Sequence, residues 1–167
     1  MKNPTNILLV DDDENDLLMI MAALKRNGAP TVTMAHDGAE AIDYLQARGR
    51  FKDRPPGNPS LMLLDLHMPR VDGWEVLRHT KSHPQFRLTP VVVFSSSARE
   101  SDVRLSYELG ANAYVVKPID YVLFQRAIQE IEAFWLDRNY VAGSAPAKLT
   151  SLLPPRRPRP GLKTKTA

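Results

Sequence analysis

Five short apolar runs punctuate the chain: Ile7–Val10, Thr31–Ala35, Leu61–Leu64, Val91–Phe94 and Ala113–Val116. They are mostly apolar without polar alternation, as parallel strands buried on both faces are. Segments of helical period follow them, at about 15–26, 38–48, 73–82, 99–109 and 120–137. In the first, Leu17, Ile20, Met21 and Leu24 recur at i, i+3, i+4 and i+7, and Lys25, Arg26 and Gly28 then close the pattern. The fourth stops at Gly110, and the fifth follows Pro118 with Asp120 at the N-cap position. Strand and helix therefore alternate five times, which predicts an α/β domain built on a doubly wound five-stranded parallel sheet. Ligands of such sheets sit beyond the carboxyl ends of the strands.

Composition changes this picture little. The 167 residues are 43% hydrophobic and 25% charged, enough for one domain with a real core. Absence of cysteine excludes a disulfide scaffold, a thiolate metal site and a cysteine nucleophile. No signal-peptide pattern and no run of membrane-spanning length is visible, so a cytoplasmic protein is expected. The formal charge of +3 is misleading, because residues 141–167 carry six cations and no acid, leaving residues 1–140 at −3. We read 1–140 as the domain and 141–167 as a basic, Pro-rich, disordered tail. Its "PPRRPRPG" stretch has no interleaved aromatics, so nucleic-acid binding is not expected. The segment 48–60 is a long polar connection.

Charge does change the picture at the strand ends. The first strand candidate runs into Asp11, Asp12 and Asp13, the third into Asp65, the fourth into Ser95 and the fifth into Lys117. Any one strand-end aspartate is most often a helix N-cap, and Asp13 is read that way. A lone lysine before proline is normally a solvated surface residue. It is the coincidence of four strand ends that points to one pocket. Carboxylates gathered there raise one another's pKa and repel. A hard divalent cation such as Mg²⁺ relieves this, since it takes oxygen ligands and pairs one or two carboxylates with a phosphate. Asp65 could then act as a nucleophile carrying a phosphoryl group. Lys117 and the cation would neutralise the phosphoryl oxygens, and Ser95 would donate a hydrogen bond to them.

The stretches "ILLVDDD", "LMLLDLHMPRVDGWEVL", "PVVVFSSSA" and "GANAYVVKP", in this order, resemble the receiver domain of two-component response regulators over roughly residues 5–138. The resemblance implies a flavodoxin-like fold with strand order 2-1-3-4-5. It also implies Asp65 as phosphoacceptor, Asp12 as direct metal ligand, Asp11 acting through water and the His67 backbone carbonyl as a further ligand. Ser95 would be the switch hydroxyl, Lys117 the phosphate-binding lysine and Tyr114 the aromatic that follows phosphorylation, with Pro69 and Gly73 shaping the loop after Asp65. Serine replaces the frequent threonine at 95, and an imidazole at 67 is unusual, acting on water access rather than metal ligation. The 48–60 connection, "SHPQFRLTPVVVFSSSARESDV" and "IEAFW" are similar to small stand-alone regulators paired with phytochrome-type sensor kinases. A sensor histidine kinase is thus the implied partner, with no turnover of a free substrate.

On the last helix Tyr121, Phe124, Ile128, Ile131 and Trp135 form one stripe expected to face the core. Leu123, Ala127 and Phe134 lie about a quarter-turn away. They either widen the buried face or, with Trp135 and Tyr140, make a homodimer contact through the fourth helix, fifth strand and fifth helix. Two rival functions remain. An aspartate-based phosphohydrolase usually has a second aspartate two positions after its nucleophile, where this chain has His67. A nucleotide-binding domain would need a glycine-rich phosphate loop, and neither G-x-G-x-x-G nor G-x-x-x-x-G-K-[ST] occurs.

Overall fold

The computed structural model describes residues 6–24 and 30–139. Five parallel strands, β1 (Asn6–Val10), β2 (Thr31–Ala35), β3 (Leu61–Leu64), β4 (Val91–Ser95) and β5 (Ala113–Val116), form one sheet in the order β2-β1-β3-β4-β5. Helices α1 (Glu14–Ala23), α2 (Gly38–Leu45), α3 (Gly73–Ser82), α4 (Glu100–Glu108) and α5 (Tyr121–Glu132) alternate with them. The doubly wound architecture is as read from the apolar runs, with boundaries moved by one to a few residues. The Lys25–Gly28 closure of α1, Tyr140 and the basic segment 141–167 lie outside the described residues.

Side-chain alternation along the three central strands splits the core in two. Leu8, Val10, Met62, Leu64, Val91 and Val93 pack with Tyr44 and Leu45 of α2 and with Val76 and Leu77 of α3. Ile7, Leu9, Leu61, Leu63, Val92 and Phe94 pack with Leu17 and Ile20 of α1 and with Phe124, Ile128 and Ile131 of α5. All of β1 beyond Asn6, all of β3 and all of β4 are buried, whereas edge strands β2 and β5 are partly exposed. Each fully buried aliphatic side chain contributes about 1.5–3 kcal/mol, so these two layers hold the helices against the sheet.

Aspartate caps start four of the helices. Asp13, Asp37, Asp72 and Asp120 accept hydrogen bonds from backbone N–H groups in the first turns of α1, α2, α3 and α5. Asp13 is thus a cap, as read from sequence. The 48–60 connection holds a single 3₁₀ turn at Gly49–Phe51, and Arg54 staples it to the carbonyls of Tyr44 (2.6 Å) and Leu45 (3.1 Å).

The stripe expected on α5 needs correction at its start. Phe124, Ile128 and Ile131 are buried and Trp135 packs beside them, but Tyr121 is 52% exposed. As the first residue of α5 it overhangs the last core layer, and its hydroxyl accepts from Gln125 Nε2 at 2.7 Å. Leu123 and Phe134 are also exposed, so no wide buried face forms. Past Glu132 the helix widens into a π-turn over Ala133–Arg138, which breaks the 3.6-residue wheel for the residues that follow.

Candidate metal and phosphoryl site

The chain leaves β1 in one direction and β3 in the other, so a crevice opens above their adjacent carboxyl ends. Val10 and Leu64 are register partners, and the next residues, Asp11 and Asp65, stand side by side. The Asp65 N–H donates to the Val10 carbonyl at 2.9 Å, which locks that alignment. Asp11 is 3% and Asp65 6% exposed, while Asp12 faces solvent. Ligand oxygens of Asp11, Asp12 and Asp65 all lie within 4.8 Å of one another.

Lys117 enters from the end of β5, where its backbone N–H donates to the Ser95 carbonyl at 2.8 Å. Its ammonium donates to Asp11 Oδ2 at 2.7 Å and stands 3.3 Å from Asp65 Oδ1. Sequence expectation and structure agree in bringing Asp11, Asp12, Asp65, Ser95 and Lys117 to one end of the sheet. Burial pushes the Asp11 carboxyl up to about 6 against the opposing pull of Lys117. Burial alone would lower Lys117, but Asp11 and Asp65 outweigh it and hold the ammonium above its ordinary range. One lysine therefore leaves the carboxylates under-neutralised. Clustered hard oxygen donors with no thiolate or imidazole nitrogen among them fit a hard divalent cation.

The loop after β3 explains its composition. The His67 N–H donates to Asp65 Oδ2 at 2.9 Å, and the Gly73 N–H to the Leu66 carbonyl at 2.9 Å. A Cβ on Gly73 would lie 2.2 Å from the Asp65 carbonyl oxygen, so only glycine lets α3 start this close to Asp65. Arg70 adopts φ 68° after Pro69 and pairs with Asp37.

Ser95 is buried, and its Oγ accepts from the Ser97 N–H at 3.3 Å. The Tyr114 hydroxyl donates to the Ser97 carbonyl at 2.9 Å, tying β5 to the loop after Ser95. Burial raises the Tyr114 pKa. The His67 imidazole is half exposed, 5.3 Å edge-to-face from Trp74 and 3.5 Å from Asp102 Oδ2. Asp102 also accepts from Ser97 Oγ at 2.6 Å, the main reason its carboxyl sits below the usual range.

Three residues here escaped the sequence reading: Asp16, Ser97 and Asp102. Asp16, in the first turn of α1, accepts from Lys117 Nζ at 2.7 Å. Its signal was in plain view, since "DDDEND" crowds carboxylates beyond what one cap needs. Ser97 and Asp102 left no such signal.

A doubly wound sheet that sets a buried carboxylate between an acidic pair and a lysine defines a class of phosphoryl-accepting domain. The chain belongs to the response regulator receiver domain family, which matches residues 7–129. Response regulator Rcp1 of Synechocystis sp. is 38% identical over 135 residues, spanning 80% of this chain and 90% of that protein. A crystal structure of the Mn²⁺-bound form of Rcp1 superposes with a TM-score of 0.77, covering 83% of this chain and 99% of that one. The phosphorylated cyanobacterial phytochrome response regulator RcpA is 36% identical, with a TM-score of 0.79 and coverage of 84% and 99%. FilR2 of Methanothrix harundinacea, a probable methanogenesis regulatory protein, is 36% identical over 148 residues, or 86% of this chain and 92% of its own.

Proposed function

We propose that this response regulator receives a phosphoryl group from a sensor histidine kinase on Asp65, with Mg²⁺ held by Asp12, Asp65 and the His67 carbonyl and by Asp11 through water. The carrying observation is the position of Asp65: buried, 3.3 Å from the Lys117 ammonium and within a three-carboxylate cluster. In the transfer, a carboxylate oxygen of Asp65 forms a bond to phosphorus as the phosphorus–nitrogen bond of the kinase phosphohistidine breaks. The electron pair stays on the imidazole nitrogen. A bound cation supplies charge neutralisation of the phosphoryl oxygens. Lys117 supplies a second positive charge, and Ser95 a hydroxyl within the same buried end of the sheet.

The modification adds about −1.5 to −2 charge. A charge-assisted hydrogen bond from Ser95 is worth about 1.5–3 kcal/mol. Moving a loop from 1:99 to 99:1 needs about 5.5 kcal/mol, so Lys117 and Tyr114 share the task. Because the Tyr114 hydroxyl is bonded to the Ser97 carbonyl, movement of the Ser95 loop draws on that ring. The readout is the face of α4, β5 and α5, where Leu105, Val116, Val122 and Leu123 are exposed. This face is also the proposed contact with a second copy of the chain.

Likeness to phytochrome response regulators supports a phytochrome-type kinase as donor. No described helix is long and apolar enough to cross a membrane, in keeping with a cytoplasmic relay. The reading assigns the relay chemistry to residues 1–140 and none of it to 141–167. His67 stands where a phosphohydrolase of this chemistry has its acid, so the domain holds its phosphoryl rather than turning over small phosphoesters. Incubation with acetyl phosphate and Mg²⁺, followed by intact-mass analysis, should add one phosphoryl to the protein and none to Asp65→Asn. Steady phosphate release from several phosphoesters, or modification of Asp65→Asn, would overturn the reading.

A further inference from the structure

Lys117 has three N–H donors and three carboxylates around it. Two of its hydrogen bonds, each 2.7 Å, go to Asp11 and to Asp16, while Asp65 stands farther off at 3.3 Å. Asp16 belongs to α1, not to the strand-end cluster, and none of its oxygens joins the group of Asp11, Asp12 and Asp65. Its side chain is 20% exposed and that of Lys117 10%, so solvent screens their attraction little. One of the two short hydrogen bonds of the ammonium thus goes to a carboxylate outside the metal and phosphoryl cluster, and Asp65 is left at the longer distance.

We propose that Asp16 is a positioning residue that shares the Lys117 ammonium with Asp11 and so keeps Asp65 open to a divalent cation. A lysine released from Asp16 would close on Asp65, now 3.3 Å away, and compete with the cation for that carboxylate. Asp16 thereby sets how much cation the unmodified protein needs before Asp65 can be phosphorylated. In the phosphorylated protein it remains a rival acceptor for the same N–H groups. The inference rests on the phosphoacceptor reading above, but its test uses metal binding to unmodified protein.

The experiment is a Mg²⁺ titration by calorimetry of the full chain, wild type against Asp16→Asn, each repeated in a Lys117→Met background. Asp16→Asn should raise the half-saturating Mg²⁺ concentration about fivefold with Lys117 present and by less than about 1.5-fold without it, the coupling expected of neighbouring charged groups. Asp16→Glu should restore wild-type affinity. Glu14→Gln removes the same charge from the same helical turn, where Glu14 faces His36 at 3.2 Å, and should leave Mg²⁺ affinity unchanged. With acetyl phosphate, the rate deficit of Asp16→Asn should shrink as Mg²⁺ is raised. Asp16→Ser repeats the test should the asparagine variant fold poorly. An equal shift in both Lys117 backgrounds, or an equal shift for Glu14→Gln, would reduce Asp16 to a general surface charge and overturn the proposal. Failure of the wild type to bind Mg²⁺ would instead strike the phosphoacceptor reading itself.

Discussion

Two lysines sit at opposite ends of the sheet, both partly buried, and their surroundings push them in opposite directions. Lys117, at the carboxyl ends, faces Asp11, Asp16 and Asp65 and is held protonated. Lys81, at the last turn of α3, donates to the Thr89 carbonyl at 2.7 Å and to Asn112 Oδ1 at 2.8 Å, near the amino ends of β4 and β5. Its acceptors carry no formal charge, and burial pulls it down to about 8. Burial is common to both, so the neighbours decide the sign. One end of the sheet collects charge for chemistry, and the other uses an ammonium as a stitch between α3 and two strand entrances.

The contrast extends to one glycine at each end of the sheet and gives the largest expected effect. Gly73→Ala would drive a methyl to 2.2 Å from the Asp65 carbonyl oxygen and 2.7 Å from Leu66 Cα, both backbone atoms that have nowhere to go. Gly110 has φ +96°, yet an added Cβ there meets the flexible Lys81 stem, Cγ at 3.1 Å. Gly73→Ala should cost on the order of 3 kcal/mol or more, an overpacking cost against backbone. Gly110→Ala should cost about 1–3 kcal/mol, chiefly from its backbone conformation. Urea unfolding of both variants checks the order. If Gly110→Ala proves the more damaging, the carboxyl end is not the more tightly built one.

The same difference governs what the sequence disclosed. Strands β1, β3 and β4 stood out because burial on both faces leaves uninterrupted apolar runs. Asp65 and Lys117 stood out only together with Asp11, Asp12 and Ser95, because four strand ends carrying reactive groups at once have no common structural explanation. Asp16 was hidden because its meaning depends on α1 lying over the reach of a lysine 101 positions away. The Asp102 contact with Ser97 and His67 depends likewise on how α4 begins, and α4 has no side-chain cap to announce it. Tyr121 was misjudged because a helical wheel knows direction but not where the core stops. The π-turn at Ala133–Arg138 left no residue pattern that distinguishes it from continued α-helix.

Removing Lys117 tests whether its end of the sheet is bound by charge. In Lys117→Met the buried carboxylates of Asp11 and Asp65 lose their shared cation, a loss on the order of 3 kcal/mol for a broken buried pair. Its urea midpoint should fall well below wild type in chelator. Added Mg²⁺ should then recover more stability for the variant than for wild type, because a cation now takes up charge that no lysine contests. A variant no less stable than Lys81→Met, with or without Mg²⁺, would erase the distinction between the two ends.

Lys81→Met should give the smallest change at neutral pH. Methionine keeps the stem against Gly110, Asn112 Oδ1 still accepts from the Val91 N–H at 2.9 Å, and the Thr89 carbonyl loses its lysine donor. A net loss of about 1 kcal/mol is expected for such hydrogen bonds. The sharper difference lies in alkali. Lys81 titrates at about 8 in the folded chain against 10.5 when unfolded. Between those values the unfolded chain binds more protons, so this group makes stability rise as pH increases through the window. The wild-type minus variant difference should therefore grow in favour of wild type from pH 8 towards 10.5 and stay level from pH 6 to 7.5. A flat difference across the alkaline range would show Lys81 to be as firmly charged as Lys117, and the two ends of the sheet would then handle a buried ammonium alike.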